Sequence, residues 1–327
     1  MMSSARSLPG LLLPAAFAAA LALPAPAEQI TVTHWGVLMY GVPYAVAMEK
    51  GFFKEAGVDI DGILTSKGGG TTVRNVLAGG LPYGEVALSA AVAAQRQGIE
   101  VRIVNGGVGT AADILWVVKP DSPIHSVKEL AGQKVAYTSP KSVTDMLLTM
   151  TMNKAGLRPD QVQRVATGGV GPGLTALDQG GVVAAPTMDP IWSRDKGKYR
   201  PLFFIKDELP RLMQTVGITT AEFAKSSPDK LRAIIRARAR GVAFTYAHPD
   251  EAAAIFARAY KLPEPMAKAA VHNMVEVHYW SEGKLDRPAM DAMVQGLALV
   301  GDIEGKVDWS KLIDESFLPA ELRSQPR

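Results

Sequence analysis

A regular alternation of short apolar runs, glycine-containing turns and short helical patterns constrains the fold of this chain more than any other feature. It is clearest in residues 30–72, where a β-branched run, a polar loop, a proline-led helix, a second β run and a glycine-rich loop follow one another. Strands that alternate with helices predict βαβ units and a mainly parallel sheet. In such an open α/β sheet, ligands bind at the carboxyl ends of the strands. The loops at 34–41 and 66–72 are therefore predicted to open onto a binding crevice.

Residues 1–27 have the pattern of an export signal. Arg6 supplies a positive charge, residues 11–23 form an apolar run rich in Leu and Ala, and Ala25-Pro26-Ala27 is a cleavage signature. The apolar run is shorter than the roughly 20 residues that a membrane-spanning helix needs. We therefore expect cleavage near Ala27 and a mature chain, starting near Glu28, that is exported to the periplasm.

The sequence contains no cysteine. This excludes disulfides, thiolate catalysis, zinc–thiolate sites and a lipid-modified cysteine at the cleavage point. An exported protein without these supports depends on its hydrophobic core, and a chain of 327 residues is long enough to form one of ordinary size.

The charge of the chain is close to balanced. Its formal net charge is +3 with Arg6 included. One predicted helix carries a cluster of basic residues: Lys230, Arg232, Arg236, Arg238 and Arg240. We interpret this cluster as a solvated helix face rather than a nucleic-acid footprint, because export makes nucleic acid a poor partner. No nucleic-acid partner is expected.

The second half of the chain predicts another α/β unit and then a helical tail. After Lys119 the alternation of strands and helices starts again. A helix is expected at 174–179, a strand at 182–185 and a return strand at 213–219. Helical patterns with a proline near each start follow at 228–246, 249–260, 263–277 and 287–300. Such helices cannot bury their apolar faces alone, so we expect them to pack on the first sheet.

These segments predict two lobes. The first lobe comprises residues 28–112 plus 219–327 and is discontinuous, and the second comprises residues 113–218. Two α/β lobes joined by two crossing strands form a clamshell, in which hinge closure can trap a ligand between the lobes.

The segment Gly107-Val-Gly-Thr-Ala-Ala112 superficially matches the dinucleotide fingerprint G-x-G-x-x-A. That fingerprint requires a helix to follow it. Here residues 114–118 form another β run instead, so the dinucleotide interpretation fails. The glycines are better explained as a bend where the chain leaves the first lobe.

Three pieces of the sequence together resemble a known family. They are AMEKGFFKEAGV at 47–58, SKGGGTT at 66–72 and VAYTSPKSVTD at 135–145. With the export signal, they resemble the periplasmic substrate-binding proteins of ABC transporters, in the subgroup that binds nitrate, taurine, alkanesulfonates and thiamine pyrimidines. The resemblance runs from about residue 28 to about residue 246.

The resemblance implies a type II periplasmic-binding-protein fold, no catalysis and no cofactor. It also implies that the protein delivers a small solute to an ABC transporter permease in the inner membrane. We expect the protein to be a monomer. Carried over by position, it places the ligand contacts at Trp35, Tyr40, Gly69, Gly70, Thr71, Ser89, Ala90, Ser139, Ser142, Thr144, Thr187 and Asp189.

Several of these residues also have a purely structural explanation. Trp35 and Tyr40 could be core aromatics, and the glycines at 68–70 could form a flexible connector. Ser142 fits the pattern of a helix N-cap, although the same helix start could also hold an anion. Asp189 instead favours a ligand with N–H donors or a cationic part, so the charge of the ligand stays open.

Catalytic and metal constellations are weak in this sequence. His272 and Glu276 share a predicted helix face, but His278 lies off that face. Without a third placed ligand we expect no metal site. No Ser–His–Asp arrangement can be proposed, because a triad is recognised by geometry and the spacing here does not constrain it.

The sequence therefore predicts a solute receptor that closes on a small organic molecule, such as a sulfonate, a carboxylate or a pyrimidine-like compound. One alternative is an enzyme on the same scaffold, because the eukaryotic pyrimidine synthases of thiamine biosynthesis resemble this family. Their cysteine-rich motif is missing here. The other alternative is a binding module that reports to a sensor protein.

Overall fold

The computed structural model describes residues 28–78, 83–140, 142–301, 303 and 305–324. The expected export signal at 1–27 lies outside the described residues. Within the described part of the chain, no helix combines the length and apolar character needed to span a membrane.

The elements of the described chain alternate between strands and helices up to a helical carboxyl-terminal part. The strands are β1 (Glu28–Thr33), β2 (Ile60–Ser66), β3 (Tyr83–Ala87), β4 (Val101–Gly106), β5 (Ile114–Val118), β6 (Lys134–Tyr137), β7 (Gln163–Ala166), β8 (Ala185–Met188), β9 (Arg200–Phe204) and β10 (Thr215–Thr220). The helices are α1 (Val42–Glu49), α2 (Phe52–Glu55), α3 (Gly69–Leu77), α4 (Leu88–Arg96), α5 (Val143–Lys154), α6 (Val170–Asp178), α7 (Ile191–Asp195), α8 (Ile205–Glu208), α9 (Ala221–Ser226), α10 (Pro228–Ala247), α11 (Pro249–Tyr260), α12 (Glu264–Glu276), α13 (Arg287–Leu299) and α14 (Trp309–Leu312). Short 3-10 turns lie at Met39–Gly41, Val127–Leu130, Pro159–Gln161, Glu315–Phe317 and Ala320–Leu322.

The first lobe is built on a five-stranded sheet with the strand order β2-β1-β3-β10-β4. β1 runs parallel to both β2 and β3, whereas β10 is antiparallel to β3 and β4. Ile30, Val32 and Val86 in this sheet are almost fully buried. Their β-branched side chains suit a sheet that helices cover.

The second lobe repeats this strand order. β8, β5 and β9 form one antiparallel group, and β6 pairs with β7 in parallel. A parallel bridge between Val135 and Ala184 joins the two groups, so the combined order is β7-β6-β8-β5-β9. The antiparallel strand β5 stands where β10 stands in the first lobe. The sequence alone shows no convincing internal repeat.

Two neighbouring chain crossings connect the lobes. The outward crossing follows β4, and the return crossing leads from α8 to β10. They are hydrogen-bonded to each other, from Gly107 N to Thr215 O at 3.0 Å and from Gln214 N to Val108 O at 2.9 Å. β10 begins in the first sheet at Thr215 and spans the expected lobe boundary at 218/219.

The carboxyl-terminal helices pack mainly on the first lobe. α10 and α11 lie against α1, and α12 lies against α11. Two of these helices also reach the second lobe: α12 contacts α7, and α13 contacts both α4 and α5. At the last contact, Gly296 lies directly against Met146 and Met150.

The basic cluster on α10 is not a uniformly solvated face, so that interpretation is wrong for one residue. Arg238 is only 1% exposed, and its Nε atom donates to Glu85 Oε2 at 2.9 Å. The same guanidinium donates to the carbonyls of Ser281 at 2.7 Å and Gly107 at 3.0 Å. Burial is the largest single effect and opposes its charge, but Glu85, Tyr44 and Tyr83 together outweigh burial and raise the pKa of Arg238. Arg238 is buried and Arg236 and Arg240 are exposed because of their positions on the helix, since all three are arginines.

Candidate ligand-binding cleft

A cluster of buried hydroxyl groups holds the loop between β2 and α3. The Oγ1 atoms of Thr33 and Thr72 lie 2.6 Å apart, and Ser66 Oγ lies 2.5 Å from Thr72 Oγ1. Ser66 Oγ also donates to the carbonyl of Gly68 at 3.4 Å. These bonds fix the chain as it leaves β2, so the first turn of α3 stands at the carboxyl end of the strand, where ligands bind in open α/β sheets.

The glycines of this loop have different surroundings. A Cβ atom at Gly69 would collide with the Cβ atom of Ala90, because α3 and α4 begin side by side. Among the described residues, a Cβ atom at Gly68 would meet no atom within 4 Å, and one at Gly70 would meet only Arg74 Nη1 at 3.7 Å. Packing therefore explains Gly69 and Ala90, whereas Gly68 and Gly70 are open to an approaching ligand.

These surroundings predict opposite results for two alanine variants in this loop. Gly69→Ala should lower the free energy of unfolding by about 1–3 kcal/mol, because the added methyl group overpacks the contact with Ala90. Gly68→Ala is the matched control and should leave stability unchanged, since its backbone is extended and its Cβ position is open. Urea unfolding of both variants measures the difference. Equal loss of stability in both variants would contradict this packing.

The other first-lobe candidates, Thr71 and Ser89, stand at helix starts. Thr71 Oγ1 accepts a hydrogen bond from Arg74 Nη2 at 2.9 Å. Ser89 is half-buried at the second position of α4. The structure thus brings Gly69, Ala90, Thr71 and Ser89 to adjacent helix starts on one side of the first sheet.

Trp35 packs against the carboxyl-terminal helices. Its ring lies edge-on to the ring of Tyr260 in α11, with 4.9 Å between the centroids. Gly41 provides the space that the indole occupies. The preceding residue, His34, has a φ of 56°, which is uncommon for a residue with a side chain. The contact with Tyr260 accounts for the position of Trp35, and its role as a ligand-stacking ring stays a prediction.

Tyr40 points into the region where the lobes are joined. It is 8% exposed, and its hydroxyl donates to Gln214 Oε1 at 2.9 Å. Burial, followed by the nearby charges of Asp113 and Glu85, raises the pKa of Tyr40. The phenol therefore keeps its proton and acts as a hydrogen-bond donor.

In the second lobe, Ser142 and Thr144 belong to a small hydroxyl network at the start of α5. Ser142 Oγ accepts from Asp145 N at 3.2 Å, which is the expected N-cap bond. Thr138 Oγ1 lies 3.0 Å from Ser142 Oγ and 2.8 Å from Thr144 Oγ1. Ser139 is exposed beside this network and accepts a bond from Ser142 N through its carbonyl. The Ser142 hydroxyl is thus already used by its own helix.

Asp189 is buried and fully engaged by protein groups. Its Oδ1 atom accepts from the N and Oγ atoms of Ser193 at 3.1 and 2.6 Å. Its Oδ2 atom accepts from Asn273 Nδ2 at 3.0 Å. Burial raises the pKa of Asp189, although these hydrogen bonds act in the opposite direction. Because Asn273 lies on α12, this carboxylate links a first-lobe helix to the second lobe.

The side chains of both lobes meet around Asp113, which sequence reasoning did not identify. Gln214 Nε2 donates to Asp113 Oδ1 at 2.5 Å, and the Tyr279 hydroxyl donates to Oδ2 at 3.1 Å. Asp189 is close enough for its charge to raise the pKa of Asp113. A chain of polar contacts therefore runs from Tyr40 through Gln214 to Asp113, beside Asp189.

The two histidines considered for metal binding have other partners. His272 Nε2 lies 2.6 Å from Asp250 Oδ1, and the ring of His278 stacks on Tyr246 with 4.5 Å between the centroids. The described residues include no group of three or more His, Asp or Glu side chains suited to a metal ion. The candidate residues offer hydroxyl groups and backbone N–H groups, which are suited to binding a small polar molecule.

Comparison with known proteins gives one family and many related folds. A family model described as NMT1/THI5 like matches residues 39–252. No curated protein matches the sequence significantly. The chain is similar to the periplasmic aliphatic sulphonate binding protein SsuA from Escherichia coli, at 18% identity and a TM-score of 0.74, over 92% of this chain and 95% of that one. It is similar to the periplasmic nitrate-binding protein NrtA from Synechocystis PCC 6803, at 13% identity and a TM-score of 0.67, over 89% of this chain and 86% of that one.

The same fold also occurs in an enzyme. The chain is similar to the desulfurization enzyme DSZB, at 15% identity and a TM-score of 0.67, over 89% of this chain and 97% of that one. At such identities the similarity shows the fold alone. The expected type II periplasmic-binding-protein fold is thereby confirmed, with two α/β lobes joined by two crossings.

Proposed function

Because the chain belongs to the NMT1/THI5-like family, we propose that it is the extracytoplasmic solute-binding component of an ABC importer. Its two lobes close on a small organic molecule in the periplasm. The closed form presents this molecule to a permease in the inner membrane, and the protein acts as a monomer. The resemblance of its sequence to periplasmic binding proteins and its fold similarity to SsuA and NrtA support this proposal.

One structural observation carries the proposal. Both sheets have the same strand order, and polar loops leave equivalent strands in the two lobes. The contacts from Tyr40 to Gln214 and from Gln214 to Asp113 connect the crevice loop of the first lobe to both crossings. A ligand that contacts both lobes favours the closed arrangement in proportion to its higher affinity for that arrangement.

The cleft residues suit a small polar solute. Thr71 and Ser89 in the first lobe and the Thr138–Thr144 region in the second carry neutral hydroxyl groups. Asp189 is the one carboxylate in the candidate set, and its oxygens already accept hydrogen bonds from Ser193 and Asn273. The candidate residues are therefore compatible with a sulfonate or a carboxylate as well as with a neutral pyrimidine.

The test is a thermal-shift screen of the mature chain, residues 28–327, against ethanesulfonate, propionate, nitrate and cytosine. We expect one of these compounds, or a close analogue of it, to raise the melting temperature in a concentration-dependent way. Small-angle scattering of the same sample should show a smaller radius of gyration on binding. Native mass spectrometry of the protein purified from its own host identifies any co-purified solute. No binding across a broad panel of these four classes would overturn the proposal.

The similarity to DSZB favours an enzyme as the second candidate function. This chain would need chemistry without a thiolate, because it contains no cysteine. The two functions differ in what becomes of the bound compound. After prolonged incubation the importer component releases it unchanged, whereas an enzyme releases a product that mass spectrometry detects.

A further inference from the structure

The loop between β7 and α6 is the second-lobe counterpart of the glycine-rich loop between β2 and α3. Thr167 Oγ1 donates to the carbonyl of Gly169 at 3.1 Å, as Ser66 Oγ donates to the carbonyl of Gly68. Gly169 and Gly68 have nearly the same extended backbone, with φ and ψ of 166° and 174° against 170° and 163°. Each is the N-cap of a nine-residue helix. The sequence predicts this helix only from Leu174 onward, so the loop is not recognised from the sequence alone.

The helix starts in the second lobe differ in how their N–H groups are used. Ser142 caps α5 with its own side chain. α6 has glycine at its N-cap and no side-chain cap. The backbone hydrogen bonds of the described chain do not use the N–H groups of Gly169, Val170 or Gly171. Serine, aspartate or asparagine at an N-cap commonly satisfies such groups, so glycine leaves them available to a ligand.

A buried hydroxyl group points to the same place. Thr187 is 1% exposed, and its Oγ1 atom has no hydrogen-bond partner among the described residues. Its side chain projects from the same face of β8 as that of Ala185, two residues earlier. Ala185 lies against Gly173 in the first turns of α6, at 3.8 Å from the position of a Cβ atom there. Thr187 lies two residues further along β8 than Ala185 and therefore faces the start of α6. A buried hydroxyl without a partner is unfavourable, and a ligand atom would satisfy it.

We propose that Gly169, Val170 and Gly171, together with Thr187, form the second-lobe subsite of the cleft, and that this subsite binds an anionic oxygen group of the solute. The N–H groups at the start of α6 donate to this group, and the Thr187 hydroxyl donates from the neighbouring strand. The helix dipole favours negative charge at this position. This inference rests on the proposed solute-binding function.

Neighbouring charges are compatible with an anion at this position. Asp189 follows Thr187 closely, but it accepts hydrogen bonds from Ser193 and Asn273 and is 2% exposed. Arg164 in β7 donates to Asp145 Oδ1 at 2.7 Å, so that pair is locally balanced. The nearby α5 start is occupied by its own cap.

Gly169→Asp is the decisive variant. The new carboxylate would cap α6 itself and repel an anion, and the site can accommodate it because a Cβ atom there would lie 3.6 Å from Pro172 Cδ. Ser227→Asp is the matched control, since it adds the same charge at the start of α10, another helix without a side-chain cap. Calorimetric titration uses ethanesulfonate, propionate and nitrate as probes, with cytosine as the neutral comparison. Melting temperatures of all variants are recorded beside the affinities.

We expect at least one anionic probe to bind the wild-type protein and to bind Gly169→Asp at least about tenfold more weakly, which is the loss of roughly one strong contact. The melting temperature of Gly169→Asp should equal or exceed that of the wild type, because aspartate is a good N-cap. Ser227→Asp should keep the wild-type affinity. Equal affinity of wild type and Gly169→Asp for the anion overturns this inference alone, as does binding of cytosine without binding of any anion. Absence of binding by the wild type across the broad panel overturns the proposed function as well.

Discussion

Replacing Arg238 by alanine should lower the free energy of unfolding by about 3–5 kcal/mol, because it leaves Glu85 buried without its charged partner. Glu85 is 0% exposed and also accepts from the Tyr44 hydroxyl at 2.8 Å and the Thr215 hydroxyl at 2.6 Å. These neutral donors cannot replace the positive charge. Urea unfolding followed by circular dichroism measures the loss. Arg238 also holds the carbonyls of Gly107 and Ser281, so its loss should loosen the outward crossing.

Arg240→Ala is the matched control for this prediction. Arg240 lies two residues further along α10 and pairs with Glu55 at 2.7 Å, with both side chains about half exposed. An exposed pair contributes about 0–1 kcal/mol, so this variant should stay close to the wild type. The double variant Glu85→Gln/Arg238→Met removes both charges and should be more stable than Arg238→Ala. A loss of stability in Arg240→Ala as large as that in Arg238→Ala would contradict the buried ion pair.

Asp113→Asn should make the protein less sensitive to pH between about pH 4 and pH 7. Burial, as the largest effect, raises the pKa of Asp113 from its ordinary 3.8 to about 7, while the bonds from Gln214 and Tyr279 act against the shift. The folded state therefore holds the proton more tightly than the unfolded chain does. The resulting stability is complete below the unfolded pKa and is lost as the pH rises towards the folded pKa.

The size of this effect follows from the shift in pKa. Each unit corresponds to about 1.4 kcal/mol, so the wild type should lose about 4 kcal/mol between pH 4 and pH 7 through Asp113. Asparagine mimics the protonated carboxyl, because its oxygen accepts from Gln214 and its amide donates to the Tyr279 hydroxyl. Three titratable groups of the described chain face Asp113. Tyr40 and Tyr279 have raised pKa values and stay protonated in this range, and the pKa of Asp189 is raised as well.

Unfolding curves at several pH values measure this difference. Asp113→Asn should match the wild type near pH 4 and exceed its stability at pH 8. The exposed Asp121 supplies the control, since Asp121→Asn should keep the pH profile of the wild type. The prediction fails if the Asp113→Asn and wild-type curves stay parallel from pH 4 to pH 8.

Local signals in the sequence predict the tail helices well. The pattern at 249–260 coincides with α11, and the pattern at 287–300 extends one residue beyond α13. A proline at the start and apolar spacing of 3.6 residues are properties of the helix itself, so no distant contact is needed to recognise it. For the same reason the sequence alone indicates the N-cap role of Ser142.

The second lobe shows where local signals fail. The sequence predicts a strand at 182–185, whereas β8 spans Ala185–Met188. The ends of a short apolar run depend on its neighbours in the sheet, which local propensity does not contain. The start of α6 is missed because glycine and proline in Val170-Gly-Pro-Gly173 lower helix propensity, whereas packing against β8 overrides it.

The candidate site is only partly predictable from the sequence. The family resemblance leads to strand ends and helix starts, and several of these, such as the starts of α3 and α4, are adjacent in the fold. Their role in ligand binding stays a prediction. The partners of the site residues are not visible, because Gln214 lies 174 residues from Tyr40 and Asn273 lies 84 residues from Asp189. Trp35 is a further example, because the sequence does not reveal that Tyr260 packs against its ring.

Helix α13 has a consequence for how the lobes can move. It packs on α4 of the first lobe and on α5 of the second, with Gly296 seated against Met146 and Met150. Rotation about the two crossings must therefore slide one lobe over this helix. Such shear motion needs a smooth and adaptable contact. A glycine facing two unbranched methionine side chains provides one, because these side chains can change rotamer as they slide. In the proposed closure, α13 would therefore be the surface over which the second lobe slides.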